Sequence, residues 1–103
     1  MTAHITAHAH ERGRERLGLH RSALERTAEI ALREGFTQAD ATGQLKRYLD
    51  RLYFSQRSAN NLRIHGENVY IFAGKTLVTV HPVPAQLRGH LRSLRQHRSG
   101  GAA

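Results

Sequence analysis

Apolar residues recur every three or four positions in the first half of the chain, then give way after Asn60 to short runs of β-branched and aromatic residues, so helices are followed by strands. Thr6 is placed to cap a helix expected over Ala7–Leu17, with Gly18 as its stop and Ile5 and Leu17 as apolar anchors. Ser22-Ala23-Leu24-Glu25 has the form of a capping box. The helix it opens has a stripe of Leu24, Ala28 and Ala31, joined by Thr27 and Ile30, and Gly35 closes it. Thr37-Gln38-Ala39-Asp40 is a second, Asp-bearing box, from which a helix is expected to continue to Tyr53 or Phe54. Leu45, Tyr48, Leu49 and Leu52 supply its i, i+3, i+4, i+7 stripe. Gly43 falls inside that helix, at a cost of about 1 kcal/mol relative to alanine.

Beyond a polar loop, Ser55 to Asn61, three extended segments are expected: Leu62-Arg63-Ile64-His65, Val69-Tyr70-Ile71-Phe72 and Thr76-Leu77-Val78-Thr79-Val80-His81. Gly66-Glu67-Asn68 and Ala73-Gly74-Lys75 are short enough for hairpin turns. The expectation is an antiparallel meander with the second and third segments inside, covered on one face by the helices, and ended by Pro82 and Pro84, which cannot donate to a ladder. The fold class is therefore α+β, with N-terminal helices packed on a C-terminal antiparallel sheet of three strands or more. Residues 1–84 form its single domain. Residues 85–103 are expected as a basic C-terminal tail, partly helical or disordered, with Leu87, Leu91 and Leu94 among Arg88, Arg92, Arg95 and Arg98.

Charge narrows the class of partner. The formal net charge is +8, and of the 16 basic residues only Lys46 and Lys75 are lysines. Arginine dominance favours phosphate or carboxylate recognition, because the guanidinium is a planar, permanently charged donor fork. From Ser55 onward the only acid is Glu67. The absence of cysteine excludes disulfides, thiolate metal sites and cysteine nucleophiles. No apolar run has the length of a signal peptide or a membrane span, so a cytoplasmic protein with no membrane partner is expected.

The candidate chemistry begins on the first helix, where His8, Arg12 and Arg16 fall on successive turns of one face. An imidazole beside two cations suits a phosphate better than a metal, with His8 as base or acid and the arginines stabilising charge. The plain alternative is a surface helix whose arginines pair with Glu11 and Glu15. His4 and His8 have the spacing of a metal pair, but neither a Glu nor a third His completes a zinc motif, and no metal or other cofactor is expected. Lys75, His65 and His81 stand at or near strand ends, where they are candidates to complete a cleft. Lys75 and His81 join His8, Arg12 and Arg16 as candidate catalytic residues. Arg14, Arg57, Arg63, His65, Tyr70, Arg88 and Arg92 are candidate contacts to nucleic acid. Core packing is the expected role of the remaining aromatics, with Tyr53 and Tyr70 the least settled.

The stretch Ile5-Thr6-x-His8-Ala9-x-x-Arg12-x-x-Glu15-Arg16-Leu17-Gly18-Leu19 resembles the opening of small RelE-like proteins of the barnase/EndoU/colicin/RelE-type ribonuclease fold. The chain is also similar to short uncharacterised proteins of bacteriophages and mobile elements, which end in a comparable strand-strand-proline segment. Relatives of this kind often open with a strand, for which the five residues before Thr6 leave scant room. The resemblance implies an RNA-binding protein and extends to metal-independent RNA cleavage by a toxin-type endoribonuclease, with an antitoxin or a host protein as partner. His8, Arg12 and Arg16 would face the RNA cleft, with Lys75, Thr79 and His81 on the sheet beside them. A reading from another class stays open: a non-catalytic phage or mobile-element protein that binds and inhibits a host protein or nucleic-acid complex. The oligomeric state is left open.

Overall fold

The computed structural model describes the backbone of residues 3–55 and 59–102, and side chains as far as Arg98. In chain order the elements are β1 (His4–Ile5), α1 (Ala7–Leu17), α2 (Arg21–Glu34), a 3-10 turn (Gln38–Asp40), α3 (Gly43–Ser55), β2 (Asn61–His65), β3 (Asn68–Ala73), β4 (Thr76–Pro82), a second 3-10 turn (Ala85–Leu87) and α4 (Arg88–Ala102). The fold is α+β, with a four-stranded sheet in the order β1-β4-β3-β2. β2, β3 and β4 form the expected antiparallel meander, and β3 and β4 are its inner strands. The sheet is nevertheless mixed, because β1 pairs parallel with β4 through His4↔Thr76 and Ile5↔Leu77. Two residues suffice for this strand, since it is pinned by backbone bonds from His4 to Lys75 and from Thr6 to Leu77. Nor do all helices precede the strands, for α4 follows them.

Local signals act where the backbone needs them. The Thr6 side chain accepts from the Ala9 amide at 3.0 Å, and Gly18 ends α1 in the left-handed region at φ 67°. Because Gly18 reverses the chain so tightly, α2 starts at Arg21 with His20 at its N-cap. Ser22 and Glu25 therefore lie inside the helix, the anticipated box does not form, and Glu25 pairs with Arg21 at 3.4 Å instead. The Thr37–Asp40 box does form, Thr37 donating its amide to Asp40 Oδ2 at 2.8 Å, but it holds only the 3-10 turn. α3 starts afresh at Gly43, whose φ is +60°. Gly43 is thus a turn residue rather than a helix-interior weakness, and a side chain there would be strained.

The sheet is buried on both faces, not on one. Leu62, Ile64, Val69 and Ile71 pack with Leu45 and Leu49 of α3 and with Val83, Leu87 and Leu91. Tyr70, Phe72, Leu77 and Val80 pack with Ala9, Leu24, Ala28 and Ala31 on the side of α1 and α2. Alternation along β3 divides Val69 and Ile71 from Tyr70 and Phe72, as the two-residue period of a strand requires. In β4 the register shifts, with Ile71 opposite Thr79 and Phe72 opposite Leu77, so Val78 is the extra residue of a bulge. The bulge brings Leu77 and Val80, three apart in sequence, onto the same face.

The segment expected as a tail is built into this arrangement. Leu87 and Leu91 are buried, and α4 is tied down by Arg95, which donates to the Gly66 carbonyl at 2.6 Å. Arg98 donates to the Glu34 carbonyl at 2.9 Å and stacks over the Phe36 ring at 3.8 Å. Leu87 of the 3-10 turn and Leu91 and Leu94 of α4 find apolar partners on α3 and the sheet, so the helix packs rather than floats.

Candidate active site at the edge of the sheet

β1 is so short that the outer edge of β4 has no strand beside it beyond Leu77, and α1 packs against β4 there. Ala9 and Gly13 face inward; a Cβ on Gly13 would stand 2.7 Å from Leu24, so glycine permits the close contact between α1 and α2. The two flanks of α1 are chemically distinct. One carries His8, Arg12 and Arg16, and the other His10 and Arg14.

The first flank meets β4. Arg16 Nη1 donates to the Val80 carbonyl at 3.0 Å, satisfying an edge group that no strand covers. The same nitrogen lies 3.1 Å from His81 Nδ1 and 3.3 Å from Nε2, so the guanidinium rests against the side of the imidazole that carries both nitrogens. Arg12 is held by Glu15 at 2.7 Å, and its charge also acts on His81. Burial, then the charges of Arg16 and Arg12, hold the His81 imidazole below the usual histidine range. His81 therefore favours its neutral form at pH 7, with the Arg16 guanidinium against the ring and the charge of Arg12 acting on it.

This arrangement has a thermodynamic consequence. Below pH 6.5 an unfolded chain binds a proton at His81 that the folded chain resists, so stability falls as pH drops through that value and levels off below the folded pKa. Denaturant unfolding between pH 7.5 and 5 is expected to show a steeper loss in the native chain than in His81→Gln. Parallel losses in the two chains would rule out His81 as the source.

The other candidate residues fall elsewhere. His8 is exposed one turn before Arg12 on the same flank. Lys75 lies in the turn before β4, about 20 Å along the strand from His81, and is not part of this corner. Tyr70 is 1 % exposed, so it cannot stack on a base; burial raises its hydroxyl pKa, partly offset by Thr27 and Asn68. His65 is half-buried beside the Tyr70 ring at 6.4 Å, and Arg63 donates to Asn61 at 2.9 Å. Arg88 pairs with Glu67 at 3.6 Å, while Arg92 is exposed on the outer face of α4. Arg57 lies outside the described residues. Arg14 lines an open groove of about 770 Å³ with His10, Glu11, His20 and Arg21. Its lining carries both signs of charge, Glu11 and Glu15 beside Arg14 and Arg21. Phe54, expected in the core, is 80 % exposed at the end of α3.

Among the described residues no three His, Asp or Glu side chains converge as metal ligands, and no helix is long and apolar enough to cross a membrane. Comparison of the chain with protein-family models, curated proteins and solved structures gave no match.

Proposed function

We propose that the protein binds RNA and cleaves it as a metal-independent endoribonuclease of toxin type, at the corner formed by Arg12, Arg16 and His81. The observation that carries this reading is the half-buried His81 ring held against the Arg16 guanidinium at the edge of β4, where burial and the charges of Arg16 and Arg12 lower its pKa. Cleavage of RNA at a 2′-hydroxyl needs a base, a cation for the charge developing on phosphorus, and an acid for the leaving oxygen. His81 takes the 2′-OH proton, and the 2′ oxygen attacks the adjacent phosphorus. The two guanidiniums hold the non-bridging oxygens as the P–O5′ bond breaks. The departing 5′ oxygen takes its proton from an acid, for which His8, two turns of α1 from Arg16, is the candidate on this flank. The products are a 2′,3′-cyclic phosphate and a 5′-hydroxyl, and no metal enters the balance. The likeness of the Ile5–Leu19 segment to RelE-like proteins points the same way, and in that setting an antitoxin would cover the corner.

The test is incubation of the purified chain with labelled RNA in EDTA. Fragments ending in cyclic phosphate are expected, together with RNA loss and growth arrest on induced expression. The second reading, a non-catalytic phage or mobile-element protein that blocks a host complex, draws on Phe54, an exposed aromatic suited to a partner. It requires intact RNA and normal growth, and that pair of results would replace the first reading.

A further inference from the structure

The outward face of α3 carries a second set of groups with the chemistry of nucleic-acid contact. Leu45 and Leu49 are buried, and Tyr48 and Leu52 pack against the same core, so the helix turns Arg47, Arg51 and Phe54 to solvent. Arg47 and Arg51 are one turn apart, and Phe54 lies three residues beyond Arg51, so the row spans about 10 Å of helix. The one carboxylate of α3, Asp50, is occupied by Gln38 at 3.1 Å and Lys46 at 3.5 Å. Among the described residues neither Arg47 nor Arg51 makes an ion pair or a side-chain hydrogen bond. Of the four arginines of α4, Arg88, Arg95 and Arg98 have partners within the fold, and only Arg92 resembles Arg47 and Arg51. Phe54 presents its ring to water with the Tyr53 ring set edge-on at 5.9 Å and 85°.

We propose that this face binds single-stranded RNA, Arg47 and Arg51 taking phosphates along the strand while a base stacks on Phe54. Cations that track the backbone beside an exposed aromatic platform are the combination by which single strands are held without sequence preference. A partner protein burying Phe54 would also have to desolvate the two exposed guanidiniums of Arg47 and Arg51, which is costly unless it supplies carboxylates for both. The proposal rests on the RNA-binding part of the function above but not on cleavage, since α3 and α1 pack on opposite faces of the sheet.

The experiment is fluorescence anisotropy with a labelled 2′-O-methyl-uridine oligomer, which lacks the 2′-hydroxyl needed for cleavage. Arg47→Ala/Arg51→Ala is expected to weaken binding and to reduce the slope of log affinity against log salt by about 1.4, roughly 0.7 for each phosphate released. Phe54→Ala is expected to weaken binding on the order of tenfold with the salt slope unchanged. All three positions are exposed, and circular dichroism checks that the variants fold. Native affinity in both variants overturns the proposal, as does failure of the native chain to bind the oligomer. A change in sedimentation of Phe54→Ala without a change in RNA affinity assigns the face to protein contact and also overturns it. Cleavage of an all-ribose oligomer is scored in parallel; its absence removes the catalytic reading of the corner and leaves the α3 result to be judged on binding alone.

Discussion

Replacing His81 by alanine is expected to lower the proposed RNA cleavage by about 10²- to 10⁴-fold, the range associated with removing a positioned general base. His81 is half-buried at the end of an inner strand, and its removal leaves Arg16 bonded to the Val80 carbonyl, so the fold and the cation should survive. The pH profile separates a base from a binding contact. In the native chain kcat/KM should rise from below the usual histidine range, because burial and the two arginines hold His81 neutral. Arg16→Ala removes one of those charges and opens the corner to water, so the rising limb should move to higher pH while the maximal rate falls. Arg16→Lys keeps the charge but loses the planar fork, and should recover the pH profile better than the rate. A His81→Ala chain that cleaves at the native rate and with an unaltered pH profile would exclude His81 from the chemistry.

The residues that were legible, and those that were not, differ for physical reasons. α1 could be read to the residue, because its boundaries are set locally by the Thr6 hydroxyl and the left-handed Gly18. The hairpin turns at Gly66 and Gly74 were equally local, each glycine standing at φ 62°. β1 was hidden because a two-residue strand has no alternation to read, and its partner Thr76–Leu77 lies some seventy residues away. Burial of both sheet faces had a visible sign in Val69-Tyr70-Ile71-Phe72, since an uninterrupted apolar run suits a strand covered on both sides. The bulge at Val78 had none, for no glycine marks it.

The site divides along the same line. The spacing of His8, Arg12 and Arg16 identifies one flank of α1, and only tertiary packing could show that His81 meets that flank while Lys75 stands at the far end of the strand. Phe54 was recoverable, because it lies well away from the Leu45–Leu49–Leu52 stripe on a helical projection. The arginines of α4 could not be divided from sequence into anchors and free cations, since the carbonyls that hold Arg95 and Arg98 belong to the distant Gly66 turn and to the end of α2 at Glu34.

Leu91→Ala is expected to cost about 2–5 kcal/mol, the range for truncating a leucine in a packed core. Leu91 is 1 % exposed and belongs to the cluster that includes Leu45, Leu49, Val83 and Leu87. For a domain whose whole stability is about 5–15 kcal/mol, that loss should lower the melting temperature by more than about 10 °C. Removing everything after Pro84 should be worse, because it uncovers Leu45, Leu49, Leu62 and Ile64 together and deletes the bonds of Arg95 and Arg98 to neighbouring carbonyls. Arg92→Ala is the control on the same helix: the side chain is exposed, and its loss should stay within about 0.5 kcal/mol. If Leu91→Ala melts with the native chain and Arg92→Ala does too, α4 contributes nothing to the core and residues 85–103 are a tail after all. A large loss confined to Leu91→Ala makes α4 an integral layer of the fold. In that case the positive charge of the C-terminal segment is divided between arginines that hold the helix in place and the exposed Arg92, which remains available to a partner.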